Sequence, residues 1–344
     1  MLSRHEIHPQ GGFDFEAGGH LDDLTLVYHC SDRAYSKEEK VVWICHALTG
    51  NSDPEDWWAD MVGPGRPIDP DKVYVVCVNM ICSAYGSSGP ASINPKTGTP
   101  YMMTFPETTV RDMVAANIII RRHLGIDHID LLMGPSIGGF QTAEWLVTEP
   151  EMFTEALLIA TDVRVTPYLT AWEESQRMAI KADPSFDRAE DLDGGKAGLE
   201  CARSIALISY RSYEGYNIRQ EEADTDTLFA SRAASYQRYQ GRKLSDRFDA
   251  YSYWYLSRAL DSHNIGRGRG GVSAALSSIQ ARCTVIGIDS DCLFPVTTMR
   301  SISEAIPSSE FHEIRSLFGH DGFLLEYEQL SAILIPCLKR LGIN

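Results

Sequence analysis

The chain is expected to fold as an α/β protein, with a mostly parallel sheet covered by helices and a helical segment inserted late in the strand order. Three observations predict it. Short continuous apolar runs recur with the length and β-branching of strands buried on both faces. Helical periodicity fills the gaps between them. One long stretch, 163–264, carries helical periodicity and no such run. Parallel strands need a crossover between them, normally a helix, so alternating buried strands and helices point to a doubly wound sheet.

Taken in order, segment 13–29 alternates and is interrupted by Gly18 and Gly19, which predicts an opening antiparallel hairpin. The buried-strand runs are 41–45 (VVWIC), 73–78 (VYVVCV), 129–133 (IDLLM), 156–160 (ALLIA) and 283–288 (CTVIGI), followed by a shorter run at 310–314. Thr108 is expected to cap a helix reaching Leu124, with Val110, Met113, Val114, Ile118 and Leu124 as its apolar stripe. A short helix is expected at 140–148 and a terminal one at 323–341, which Pro336 should kink or end early. Within the long stretch, 172–180, 198–210 and 228–260 read as helices. The predicted division is a core of residues 1–162 and 265–344 and a lid of residues 163–264. The lid is expected over the carboxyl edge of the sheet, where open α/β sheets hold ligands.

Composition bounds what such a fold can do. The length of 344 residues suits one large domain with an insertion, and 44% hydrophobic with 23% charged residues suffices for a full core. A formal charge of -16 with no long Lys/Arg run argues against nucleic acid, because like charges repel. No apolar stretch approaches the ~18 residues of a membrane span, and the start, MLSRHEIHPQ, has no apolar signal-like segment. The eight cysteines are scattered without a C-x-x-C pair; several sit inside apolar runs, and those read as small buried hydrophobes and not as metal or disulfide sites. A cytoplasmic enzyme without a metal is expected.

The chemistry centres on Gly134-Pro-Ser136-Ile-Gly138-Gly139, which stands after the strand at 129–133 and before a helix. A serine on a tight strand-to-helix turn projects its hydroxyl from the sheet edge, and flanking glycines remove side chains that would collide there. Serine is a poor nucleophile at neutral pH and needs a base held by a carboxylate. Both follow in the order Ser, Asp, His. Asp289-Ser-Asp291 comes after the 283–288 run, and His320 sits in Leu317-Phe-Gly-His320-Asp-Gly322. Spacing alone leaves Asp289 and Asp291 both open. His5, His8, His20, His123 and His128 suit surface or capping roles, and His263 lies too early in the chain.

An oxyanion needs two backbone donors, expected from Ile137, directly after the serine, and from Leu48 in His46-Ala-Leu48-Thr-Gly50. A competing pattern, Gly266-Arg-Gly268-Arg-Gly-Gly271, imitates a dinucleotide fingerprint. It follows a helix and not a strand, so it reads as a glycine-rich return from lid to core, with its arginines at the surface or in ion pairs. The chain has no G-x-x-x-x-G-K-[ST] loop and no H-E-x-x-H site.

Six segments in order then resemble the homoserine O-acyltransferase family (homoserine O-acetyltransferases) of the α/β-hydrolase fold. They are HALTGNS from His46, GSSGPASINPKTG from Gly86, TFPETTVRDMV from Thr104, SIGGFQTAEW from Ser136, DSDCLFP from Asp289 and GHDGFL from Gly319. The resemblance favours Asp291 over Asp289. It implies ping-pong transfer of an acetyl group from acetyl-CoA, a co-substrate and not a permanently bound cofactor, through Ser136 to L-homoserine in methionine biosynthesis, with His320 as base. Succinyl transfer, a serine acceptor and simple ester hydrolysis are the alternatives. It also implies Asp321 at the substrate ammonium, Arg203 and Tyr210 at its carboxylate end, and a homodimer joined through the lid. Pro135 and Ile137 depart from the family's usual GGSMGG pattern, and Cys82-Ser-Ala-Tyr-Gly86 departs from its GGCxG.

Overall fold

The computed structural model describes residues 1–188 and 190–343; Ala189, within the predicted lid, and Asn344, at the end of the predicted core, lie outside the described residues. The strands are β1 Leu2–Ile7, β2 Phe13–Asp14, β3 His20–Leu21, β4 Leu26–Ser31, β5 Val41–Ile44, β6 Tyr74–Val78, β7 Ile129–Pro135, β8 Phe153–Ile159, β9 Arg282–Ile288 and β10 Ser309–Ile314. The helices are α1 Pro54–Trp57, α2 Val110–His123, α3 Ile137–Thr148, α4 Pro167–Lys181, α5 Lys196–Tyr210, α6 Tyr213–Gln220, α7 Arg232–Ser245, α8 Ala250–Leu260, α9 Val272–Ser277, α10 Val296–Ala305, α11 Gly322–Leu325 and α12 Tyr327–Arg340. Eight strands form one sheet in the order β1-β4-β6-β5-β7-β8-β9-β10. Pairing is antiparallel from β1 through β4 to β6 and parallel from β6 onward.

Along β5 the side chains alternate between two apolar layers. Val41 and Trp43 enter the core on one face, with Leu132, Phe140 and Trp145, while Val42 and Ile44 enter the other, with Leu131, Met133 and Leu334. Burial on both faces is why these runs lack a polar alternation. Each fully buried aliphatic side chain contributes roughly 1.5–3 kcal/mol. Within these layers Trp43 Nε1 donates to Asn117 Oδ1 at 2.8 Å.

Several local expectations need correction. The opening hairpin is a short β2/β3 ribbon, and β4 pairs instead with β1, a polar edge strand (LSRHEI) that no hydrophobic pattern announced. The cap of α2 is Thr109. Its hydroxyl accepts from Asp112 N while Asp112 accepts from Thr109 N at 2.7 Å, a reciprocal box that leaves Thr108 outside the helix. The expected helix at 228–260 is two helices, because Asp249 accepts from Ser252 N at 2.7 Å and starts α8 afresh; α6 was not anticipated. The terminal helix is interrupted at Glu326, whereas Pro336 lies within α12. Pro336 and Ala332 are both on its exposed face, so the carbonyl left without a partner can be solvated.

Helices α4 to α8 all lie between β8 and β9 in the chain. The two connections to this insertion pair with each other: Val165 N donates to His263 O at 2.9 Å and Ile265 N to Val163 O at 3.1 Å. The glycine-rich segment 266–271 follows α8, with Arg267 paired to Glu16 and Arg269 to Glu144. Among the described residues, no helix is long and apolar enough to cross a membrane.

Candidate active site

Ser136 occupies the single residue between β7 and α3, with φ 57° and ψ -125°, a conformation that costs a non-glycine residue about 1–3 kcal/mol. The turn closes because three neighbours have no side chain. A Cβ on Gly134 would lie 2.3 Å from the Gly138 carbonyl carbon, one on Gly138 2.1 Å from Cys45 O, and one on Gly139 2.5 Å from the Thr161 side chain. Gly138 thereby brings the end of β5 against the serine turn.

His320 stands on a short 3-10 turn, Gly319–Asp321, beyond β10. Its Nε2 is 2.9 Å from Ser136 Oγ and its Nδ1 is 2.7 Å from Asp291 Oδ2. A carboxylate only accepts, so Nδ1 carries the hydrogen and Nε2 faces the serine hydroxyl with its lone pair. The other Asp291 oxygen accepts from Leu293 N at 2.8 Å and Phe294 N at 3.1 Å, so the buried carboxylate is fixed at both ends. Asp289, the alternative by spacing, accepts from Ser316 N at 2.9 Å and steadies the turn after β10 instead. Phe294, Phe323 and Tyr210 surround the imidazole, with ring centroids 5.2, 5.4 and 5.8 Å away.

Ile137 begins α3 with its amide at the open helix N-terminus. Leu48 sits in a turn closed by Gly50 N donating to Ala47 O at 2.9 Å. Among the described residues, neither the Leu48 nor the Ile137 N–H has an acceptor. His46 anchors this turn: its Nε2 accepts from Met80 N at 3.1 Å, and its Nδ1 donates to Ala47 O at 2.9 Å. Burial holds its pKa down at about 4, so it is neutral.

A cavity of about 180 Å³ opens over the serine, lined by Leu48, Ser136, His320, Arg203, Tyr210 and Asp321 among others. All three residues proposed from the resemblance to hold substrate therefore face one space. The Arg203 guanidinium lies over the Tyr210 ring, 5.4 Å from its centroid. Asp321 is ion-paired with Arg211. Sequence reasoning missed Arg211, Arg247 and Trp57, the last two of which also line the cavity; Arg211 was readable only as the neighbour of Tyr210, and no motif marks the other two. His263 is buried, stacks on Phe140 with centroids 4.0 Å apart, and bonds Asp162 O at 3.0 Å, away from the serine. All eight cysteines are free, and burial pushes the Cys45 and Cys283 thiols up to about 12. Among the described residues, no group of three or more His, Cys, Asp or Glu side chains is placed to hold a metal ion.

A serine on a strand-to-helix turn, hydrogen-bonded to a histidine that a buried aspartate orients, defines an α/β-hydrolase-fold enzyme, and the alpha/beta hydrolase fold family model matches residues 40–327. Homoserine O-acetyltransferase of Cyclobacterium marinum is 40% identical over 333 residues, covering 97% of this chain and 94% of that protein. The crystal structure of homoserine O-acetyltransferase from Bacillus anthracis superposes with a TM-score of 0.90 at 22% identity, covering 98% of each chain. That of esterase E22 gives 0.88 at 20% identity, over 98% of this chain and 100% of the other. The chain belongs to the homoserine O-acetyltransferase family and is an acyltransferase.

Proposed function

We propose that the protein transfers an acetyl group from acetyl-CoA to the hydroxyl of L-homoserine by a ping-pong mechanism, a step feeding methionine biosynthesis. The observation that carries this is the unbroken chain of hydrogen bonds from Ser136 through His320 to Asp291, in a protein 40% identical to a homoserine O-acetyltransferase.

Ser136 Oγ attacks the thioester carbonyl while His320 Nε2 takes its proton, and Asp291 stabilises the imidazolium. The Leu48 and Ile137 amides receive the oxyanion; losing one such donor costs about 2.7–4 kcal/mol of transition-state stabilisation. The intermediate collapses, the C–S bond breaks, and His320 returns the proton to the thiolate. The homoserine hydroxyl then gives its proton to His320 and attacks the acyl carbon, and Ser136 leaves with a proton regained.

Arg203 is assigned to the substrate carboxylate, which a guanidinium pairs bidentately, with Tyr210 beside it. Asp321 is assigned to the ammonium; its Oδ2 is paired with Arg211. Residues 163–264 act as the lid, supported by Arg203, Tyr210 and Arg247 reaching the cavity from that segment. Joining of two copies through the lid is supported by Tyr213, Leu228 and Phe229, each more than 80% exposed. A cytoplasmic setting is supported by eight unpaired cysteines.

The test is to incubate purified protein with acetyl-CoA with and without homoserine. Without homoserine, thiol release is expected to stop at about one equivalent per Ser136; with it, release continues and yields O-acetylhomoserine. Release that ignores homoserine while acetate accumulates rejects transfer in favour of hydrolysis. Succinyl-CoA and serine, supplied in parallel, test the other donor and acceptor.

A further inference from the structure

The turn bearing Leu48 is pinned from two sides. On the sheet side, His46 donates to Ala47 O. On the other, the peptide between Thr49 and Gly50 is held at both ends: its N–H donates to Ala47 O at 2.9 Å, and its carbonyl accepts from Arg247 Nη1 at 2.8 Å. Arg247 comes from the insertion, in the short link between α7 and α8. Its neighbour Phe248 is buried, edge-on to Tyr85 at 5.7 Å and to Tyr253 at 6.3 Å, which fixes the link. The same Nη1 donates to the Tyr85 hydroxyl. One guanidinium thus ties three chain segments together at the cavity wall. Among the described residues it has no carboxylate within ion-pair distance, so its charge is spent on a carbonyl and a phenol. Charge-assisted hydrogen bonds of this kind are roughly twice as strong as neutral ones.

We infer that Arg247 is a positioning residue for acyl transfer: by holding the Thr49–Gly50 peptide it sets the direction of the Leu48 N–H, so the oxyanion donor is complete only while the insertion is docked on the core. The inference rests on the reading of the Leu48 amide as an oxyanion donor. It makes acylation depend on the insertion through one side chain that touches neither nucleophile nor base. Tyr85, one of this chain's departures from its family's pattern, supplies a second anchor for the same guanidinium.

The experiment follows the pre-steady-state burst of Ser136 acylation in Arg247→Ala, Arg247→Lys and Tyr85→Phe, using p-nitrophenyl acetate and acetyl-CoA as separate donors. Arg247→Ala is expected to slow the burst with p-nitrophenyl acetate by about 10- to 100-fold, short of the 10²–10³ for outright loss of a donor. KM should change by less than about threefold. Arg247→Lys should recover most of the rate, since an ammonium still reaches a carbonyl, and Tyr85→Phe should slow it less than Arg247→Ala. If Arg247→Ala does not fold, the graded pair Arg247→Lys and Tyr85→Phe carries the same expectation. An unchanged burst overturns the inference. So does an effect confined to KM for acetyl-CoA that disappears with added salt, since that describes a contact with the donor's phosphates. A normal p-nitrophenyl acetate burst with no reaction of acetyl-CoA in the wild type would sink the proposed donor and leave the role of Arg247 to be judged on the ester.

Discussion

Gly138 and Cys45 are in backbone contact: a Cβ added at Gly138 would stand 2.1 Å from the Cys45 carbonyl oxygen and 3.1 Å from that of His46. The first turn of α3 therefore rests on the end of β5, and that contact places the turn bearing Leu48 beside the serine. The obstacle is main chain, which cannot rotate away as a flexible side chain would. Gly138→Ala should cost about 3 kcal/mol and remove activity together with it. Thermal denaturation and turnover measured on the same preparation check this; a stable, inactive Gly138→Ala would mean that the contact serves the site alone.

Ser136 pays for its position in backbone strain, with φ at 57°. Ser136→Ala keeps the strain and removes the hydroxyl, so it should fold, form no acyl adduct by intact mass, and lose about 10⁴-fold or more in turnover. Ser136→Gly also lacks the hydroxyl but releases the strain, and should melt above Ser136→Ala by the equivalent of about 1 kcal/mol. Activity surviving in either variant would contradict the assignment of the nucleophile.

Asp291 accepts from the His320 ring and from two backbone amides. In Asp291→Asn the amide can present an N–H where an acceptor is needed, which favours the wrong imidazole tautomer. The expected loss is about 10⁴-fold in kcat with little change in fold. Asp289→Asn, which leaves the histidine untouched, should lose far less, and steady-state kinetics on the two variants separate them.

His46 and His263 are buried and neutral, held at about 4 and about 3 against 6.5 for a free imidazole. The unfolded chain binds these protons first, so the stability the two contribute is complete above pH 6.5 and is lost as pH falls through their folded values. His263→Gln keeps a donor for Asp162 O and cannot titrate. Denaturant melts between pH 7 and pH 4 should show a shallower acid decline in this variant than in the wild type.

Glu173 has the opposite sign. Burial in the insertion raises its carboxyl to about 8, against the pull of Arg177, and one of its oxygens has no hydrogen-bond partner. The folded state holds this proton, so the group's contribution is complete below pH 4.5 and is lost as pH rises towards 8. Glu173→Gln should raise stability near pH 8 by a few kcal/mol at most and little at pH 4.5. A fall in stability at pH 8 would show that the carboxylate is ionised and paired.

The parallel strands were legible because burial on both faces demands uninterrupted apolar runs, and the serine turn because only glycine tolerates the approaches made by residues 134, 138 and 139. β1 was hidden because an edge strand satisfies its backbone through pairing and its side chains through water, leaving LSRHEI without a hydrophobic period. Thr108 and Thr109 are the same residue type side by side; the reciprocal bond with Asp112 selected between them. Choosing between Asp289 and Asp291 by spacing was equally undetermined, since both carboxylates follow the same strand.

The chain's linear pattern by itself determined the layers, the order serine, aspartate, histidine and the turn that raises the serine, because each is written in a short local segment: an apolar run, a glycine-bracketed serine, two carboxylates after a strand and a histidine in a turn. Only the tertiary structure decided which aspartate meets the imidazole, that Asp321 is paired with Arg211, and that Arg247 crosses from the insertion to Thr49 O. These are side-chain meetings between segments far apart in the chain. They are set by how the helices dock on the sheet, and no local periodicity encodes them.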